Sequence, residues 1–293
     1  MAGIDSTVRT PDGRSLRVQE GGDSRGRPVL VHSGTPNSRH LYGPHLELAL
    51  EQGIRLISYD RPGYGGSTPQ PGRTIADCAA DVRTIADALD IDRFAIWGIS
   101  GGGPHALACA ALLPDRLVAV ASLASPAPYD AAGLDYFAGM GELNVDDIKL
   151  MLDDPTAAKA KTISDREVMM TATAEGTREF LQTLLTPTDA SVMTGNLAEY
   201  LTQSGKDGLA PGIEGWWDDG LAMLQPWGFD VSAIDVPVML WHGRQDRFVP
   251  FQHGEWLAQQ IPAVDAHLTE EDGHLTLIQR RIPVVHTWLL EHF

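Results

Sequence analysis

Phe94-Ala95-Ile96-Trp97-Gly98-Ile99-Ser100-Gly101-Gly102-Gly103-Pro104 is the stretch on which the reading of this chain turns. An apolar run, Phe94 to Trp97, meets Gly98, and a helical pattern begins near Gly101. Between them lies Gly98-Ile99-Ser100-Gly101-Gly102, a Gly-x-Ser-x-Gly pattern. The pattern alone says little, since chance produces it in roughly one chain in seven of this composition. Its position says more. A strand that feeds a helix through so sharp a turn holds the serine backbone in a strained conformation, and residues two positions away must lack bulk. Gly98 and Gly102 meet that demand. The helix start also turns free N–H groups, that of Gly101 first, toward any oxyanion formed beside Ser100. Pro104 falls in the first helical turn, where its missing N–H costs little.

Working outward, the same alternation recurs. Pro28–His32, Arg55–Tyr59, Leu117–Ala121 and Pro237–Trp241 are short, continuously apolar runs, as expected of strands buried on both faces of a parallel sheet. Ile75, Cys78, Ala79, Val82, Ile85 and Leu89 repeat at helical spacing behind a Thr74 cap. Leu107, Ala108, Ala111 and Leu112 do the same after Ser100, and Leu275 to Leu289 reads as one final helix. The pattern predicts an α/β fold: a mostly parallel central sheet with helices on both faces. The alternation stops between about Pro126 and Gly228, where only helical fragments appear, at Leu143–Met151, Phe180–Leu185 and Leu197–Leu201. Residues 1–126 and 229–293 are therefore expected to form the core, and 127–228 an inserted helical cap over the end of the sheet.

A serine hydroxyl needs a base, and the base an orienting acid. In strand-turn-helix hydrolases the chain order is Ser, acid, His. His242-Gly243-Arg244-Gln245-Asp246 follows the strand ending at Trp241, and Glu271-Asp272-Gly273-His274 follows a short stretch, Asp265–Leu268, that reads as the last strand. Both loops lie at carboxyl ends of strands, where open α/β sheets place their sites. Asp246 is assigned as the acid and His274 as the base. Asp272 is too close in sequence to His274 to support its ring from across, Asp235 precedes its strand, and a base at His242 would leave no acid in order. The second oxyanion donor is expected in His32-Ser33-Gly34-Thr35-Pro36, with Thr35 first and Gly34 second, since Pro36 has no N–H.

These residues resemble the α/β-hydrolase superfamily in its capped serine esterase and lactonase-like branch, over roughly residues 15–125 and 229–293. Asp60-Arg61-Pro62-Gly63-Tyr64-Gly65-Gly66-Ser67 looks like the family's Asp-x-Arg-Gly-x-Gly-x-Ser turn, and Trp241-His242-Gly243-x-x-Asp246 and Asp272-Gly273-His274 like its acid and histidine loops. The usual His-Gly-x-Pro appears one residue longer, which leaves the second donor open between Thr35 and Gly34. Ser100 stands where epoxide hydrolases and dehalogenases of this fold carry Asp, so those activities are disfavoured. The resemblance implies a carboxylic ester hydrolase that works through an acyl-enzyme without cofactor or metal. An aminopeptidase of the proline-iminopeptidase kind, with Asp218, Asp219 or Glu214 holding an α-amino group, stays open. So do a cofactor-independent haloperoxidase or perhydrolase and a non-catalytic ligand receptor.

Composition narrows the substrate and the compartment. A formal charge of −17 repels phosphate backbones and anionic lipid, so neither nucleic acid nor a membrane surface is an expected partner. No HExxH, P-loop, GxGxxG or zinc-type Cys/His cluster is present. Cys78 and Cys109 read as buried free thiols in a reducing compartment. Met1–Ser6 lacks a basic and an apolar region, no stretch reaches the ~20 apolar residues of a membrane span, and a cytoplasmic monomer or homodimer is expected. Trp216, Trp217, Asp219 and Trp227 are expected to line the pocket, and the substrate is expected to be a small to medium uncharged ester or lactone.

Overall fold

The computed structural model describes residues 3–293. Its centre is an eight-stranded sheet in the order β1-β2-β4-β3-β5-β6-β7-β8. The strands are β1 (Ile4–Arg9), β2 (Ser15–Gly22), β3 (Arg27–His32), β4 (Ile54–Tyr59), β5 (Phe94–Ile99), β6 (Leu117–Leu123), β7 (Val238–Gly243) and β8 (Asp265–Thr269). β1 and β2 form an antiparallel hairpin, β2 pairs antiparallel with β4, and every other pairing is parallel.

Alternate strand residues point to opposite faces, and here both faces are dry. Leu30, Ile57, Ile96, Val120 and Leu240 pack with α2 (Cys78–Ala88), α3 (Gly102–Leu112) and a helix we number α10 (Phe251–Gln260). Val31, Leu56, Trp97, Ala121 and Met239 pack on the other side with α1 (Gly43–Glu51) and α12 (Ile282–Leu290). Two-sided burial is why these strands carry unbroken apolar runs rather than alternation. β1 lacks such a run because it is an edge strand with one buried residue, Val8, and neither it nor β2 stood out in the sequence.

Between β6 and β7 the chain forms six α-helices, α4 (Glu142–Asp153), α5 (Pro155–Thr171), α6 (Ala174–Phe180), α7 (Pro187–Val192), α8 (Gly195–Leu209) and α9 (Glu214–Leu224), and then a short 3-10 turn, Val231–Ala233. Their starts follow local chemistry. Asp154 accepts from the N–H groups of Thr156 and Ala157, and Thr173 accepts from that of Gly176. α5 buries only Ala158, so it shows no apolar stripe to read.

Three local expectations are corrected. Thr74 does not cap α2; its N–H and hydroxyl instead donate to Asp77 Oδ2 (2.6 and 2.9 Å), and the helix begins at Cys78. Phe180–Leu185 is the end of α6 and a following turn. The final helix is two, α11 (Leu275–Arg280) and α12, because Pro283 has no N–H to continue the ladder. No helix among the described residues is long and apolar enough to cross a membrane.

Burial decides what a side chain is worth here. Leu240→Ala, at a fully buried site on β7, is expected to lower unfolding free energy by about 2–5 kcal/mol in urea. Leu152→Ala, on the exposed face of α4, should change it by less than about 0.5 kcal/mol.

Candidate active site

The turn after β5 holds Ser100 at φ 55°, in the left-handed region, at a cost of about 1–3 kcal/mol. Its N–H donates to Leu123 O (2.9 Å) and its carbonyl accepts from Gly103 N–H (2.8 Å), so both neighbours of the bend are held. A Cβ at Gly98 would run into Gly102 O and Ala106 Cβ, and one at Gly102 into His32 O. Those two glycines are what allow β5, α3 and the end of β3 to meet.

Asp246 and His274 arrive from the last two strands. Beyond β7, Arg244 and Gln245 donate their N–H groups to Thr269 O (2.8 Å) and Asp272 O (3.0 Å), binding the acid loop to the histidine loop. A Cβ at Gly243 would collide with Asp272 O. Asp246 Oδ1 accepts from the N–H groups of Phe248 (2.8 Å) and Val249 (2.9 Å), and Asp246 Oδ2 lies 2.7 Å from His274 Nδ1. Phe248 stacks on the imidazole with ring centroids 4.5 Å apart. Burial opposes charge on His274, but Asp246 outweighs it, and the His274 pKa stands above its ordinary value. Asp272 is occupied elsewhere, by Thr269 Oγ1 (2.9 Å) and Arg281 Nε (2.8 Å). His242 Nε2 contacts Val249 O at 2.9 Å and stands 3.8 Å from Asp246.

Ser100 and His274 open on one cavity of about 320 Å³, and Gly34, Thr35 and Gly101 border it as well. Among the described residues the N–H groups of Gly34, Thr35 and Gly101 have no hydrogen-bond partner. Gly34 lies under the nucleophile turn; a Cβ on it would touch Ser100 Cβ at 3.3 Å. The insertion supplies the opposite wall, with Leu143, Met151, Phe180, Leu184, Trp216 and Met223. It also supplies an ion triad, in which Lys161 Nζ lies 2.7 Å from Asp147 Oδ1 and 2.6 Å from Asp165 Oδ2.

The pocket expectations need revision. Trp216 lines the cavity. Trp217 does not; it lies beneath the Lys159 ammonium, 5.8 Å from the ring centroid. Trp227 is buried in the core against Phe229. Asp219 borders the cavity, yet its carboxylate is spent. Oδ2 accepts from Arg61 Nε (3.0 Å), Arg61 Nη2 (2.7 Å), Tyr64 Oη (2.9 Å) and Thr35 Oγ1 (3.1 Å), and Oδ1 accepts from Arg73 Nη2 (2.7 Å). Burial would raise its pKa, but Arg61 and Arg73 hold it far below the carboxylate range. Arg61, quoted in the sequence without a role, also donates to Ser33 O (2.6 Å) and Thr35 Oγ1 (3.0 Å). It therefore fixes the loop that borders the cavity at Gly34 and Thr35.

The described side chains that could hold a metal are His32, Cys78 and Cys109. They sit in the core under the nucleophile turn, with both thiols free and their sulfurs 3.9 Å apart. Burial pushes the Cys78 thiol well up, away from the thiolate a metal requires.

Residues 27–280 match the family model for the alpha/beta hydrolase fold. The chain belongs to the alpha/beta hydrolase family. It is 30% identical over 260 residues to a non-heme chloroperoxidase of Streptomyces lividans, covering 84% of this chain and 83% of that one. It is 22% identical to a 2-hydroxy-6-oxononadienedioate/2-hydroxy-6-oxononatrienedioate hydrolase of Klebsiella pneumoniae, covering 89% and 86%. Among solved structures, an esterase from Exiguobacterium antarcticum superposes with a TM-score of 0.70 over 99% of both chains at 21% identity, a likeness of fold. The mostly parallel eight-stranded sheet with helices on both faces is the alpha/beta hydrolase fold.

Asp219 is a buried carboxylate that two buried arginines share at the edge of the cavity. Asp219→Ala would leave Arg61 and Arg73 buried without their shared carboxylate, and a loss of about 3–5 kcal/mol is expected in thermal or urea unfolding. A loss below about 0.5 kcal/mol would show that the network contributes nothing net.

Proposed function

We propose that this chain is a serine hydrolase that cleaves small to medium uncharged carboxylic esters or lactones through an acyl-enzyme on Ser100. The observation that carries the reading is the 2.7 Å Asp246–His274 contact on the wall of the cavity onto which Ser100 projects from its strained turn. His274 takes the hydroxyl proton as Ser100 Oγ attacks the carbonyl carbon. Asp246 holds the imidazole in the tautomer that keeps Nε2 free as base. The N–H groups of Gly101 and Thr35 receive the oxyanion, with Gly34 packed beneath the serine. The alcohol leaves with the proton from His274. Water then attacks the acyl carbon with His274 again as base, and the acid is released.

The cavity wall supports an uncharged substrate. Lys161 is the one lysine or arginine among the described residues lining it, and two carboxylates already hold it. A substrate carboxylate would meet a net negative group in a largely apolar chamber. The aminopeptidase reading loses its anchors, because Asp218 and Asp219 both pair with Arg73 and Glu214 is not among the lining residues. The 30% identity to a non-heme chloroperoxidase favours one second reading. Hydrogen peroxide in place of water would release a peracid from the same acyl-enzyme, and the peracid would oxidise halide.

Hydrolysis of p-nitrophenyl butyrate against a p-nitrophenyl ester bearing a free carboxylate tests the substrate class. At least a tenfold preference for the neutral ester, about 1.4 kcal/mol, is expected; a preference for the anion contradicts it. Ser100→Ala should abolish turnover, and Asp246→Asn should lower kcat by about 10³–10⁴.

The sign of the pH dependence follows from His274. The base must be neutral, and its pKa is raised, so kcat/KM should climb through an acid limb centred above the ~6.5 of free imidazole. A limb centred below that value contradicts the pairing with Asp246.

A further inference from the structure

One buried carboxylate takes no part in the chemistry above and yet touches its base. Asp189 lies on α7 in the insertion and is fully buried. Its Oδ2 accepts from the N–H of His274 (2.9 Å), and its Oδ1 accepts from those of Leu275 (2.7 Å) and Thr276 (3.3 Å). These are the free donors at the start of α11, which helices ordinarily cap from their own chain. Here the cap comes from a residue 85 positions earlier. The approach is close enough that a Cβ on Gly273 would lie 2.5 Å from Asp189 Oδ2, so the histidine loop is shaped to admit this carboxylate.

The imidazole ring is held by Asp246 and Phe248 from the core, while its backbone is held by Asp189 from the insertion. We propose that Asp189 is a positioning residue for His274, so that the base is set in place by the helical insertion as well as by the sheet. The proposal rests on the assignment of His274 as the base. Charge acts along with geometry. Asp246 and Asp189 are the carboxylates facing His274, with His242 behind Asp246, and both favour the protonated imidazole. Burial pushes the Asp189 pKa up, against the N–H bonds and the charge of His274.

The experiment compares Asp189→Ala, Asp189→Asn, Ser191→Ala and Ser100→Ala in the full chain, with p-nitrophenyl butyrate as substrate. Asp189→Ala should lower kcat about tenfold to a hundredfold with KM nearly unchanged, because the base is misplaced rather than the pocket reshaped. Asp189→Asn keeps one acceptor oxygen but loses the charge. Its kcat should fall less, and the acid limb of kcat/KM should move roughly half a unit to lower pH, because a negative neighbour of protonated His274 has gone. Ser191→Ala, on the exposed face of the same helix, should leave both readouts unchanged. If Asp189→Ala does not fold, the Asn variant decides through its pH profile. Folded Asp189 variants with wild-type kcat and an unmoved acid limb, beside an inactive Ser100→Ala, would overturn the positioning role and leave the proposed function standing. An active Ser100→Ala would overturn both.

Discussion

The bend at Ser100 requires that two particular side chains be absent. β5 can turn into α3 within a few residues only because Gly98 presents no Cβ to Gly102 O and Gly102 presents none to His32 O at the end of β3. The bend places a non-glycine residue at φ 55°, and the surrounding sheet must over-determine it. It does so through hydrogen bonds to Leu123 O and from Gly103 N–H, inside a sheet buried on both faces. Everything else at the site is arranged around that fixed point. The Thr35 loop closes over it from β3, and the Asp246 and His274 loops reach it from the far side.

A second theme is that the helical insertion is bound to the site through buried charge as well as through apolar contact. Asp219 on α9 gathers Arg61, Arg73, Tyr64 and Thr35, and so ties the insertion to the loop beside Ser100. Asp189 on α7 does the same for the histidine loop. Both carboxylates are desolvated, which costs free energy that only a full set of partners offsets. These directional bonds join others between the insertion and the rest of the chain, such as Gly65 N–H to Gly208 O (2.9 Å) and Tyr200 Oη to His40 O (2.9 Å).

Much of this was legible in the sequence, for identifiable reasons. Strands buried on both faces leave apolar runs, so β3 to β7 could be read, while the edge hairpin of β1 and β2 could not. Ser100 and His274 stand next to glycines, Asp246 follows Gly243 by three residues, and each lies a few residues at most beyond the end of a strand. Trp227 misled because an aromatic beside the insertion looks the same whether it faces a cavity or Phe229. Asp219 does border the cavity, but that its carboxylate serves as an internal anchor is not legible in the sequence, since its arginine partners come from distant turns. Asp189 left no signal of its own. Thr186-Pro187-Thr188-Asp189 reads as an ordinary helix start, and nothing local indicates that the acid serves a helix 85 residues on. The ion triad of Asp147, Lys161 and Asp165 was hidden because α5 reads as a solvated helix.

Every role proposed at the site depends on Ser100 as the nucleophile. Reaction with a fluorophosphonate followed by peptide mapping reads it directly, since the reagent bonds only to a serine whose proton is removed and whose oxyanion is stabilised. The expected result is one adduct, on Ser100, lost in Ser100→Ala and strongly slowed in Asp246→Asn. A wild-type chain that stays unlabelled, or one labelled at another serine, would contradict it.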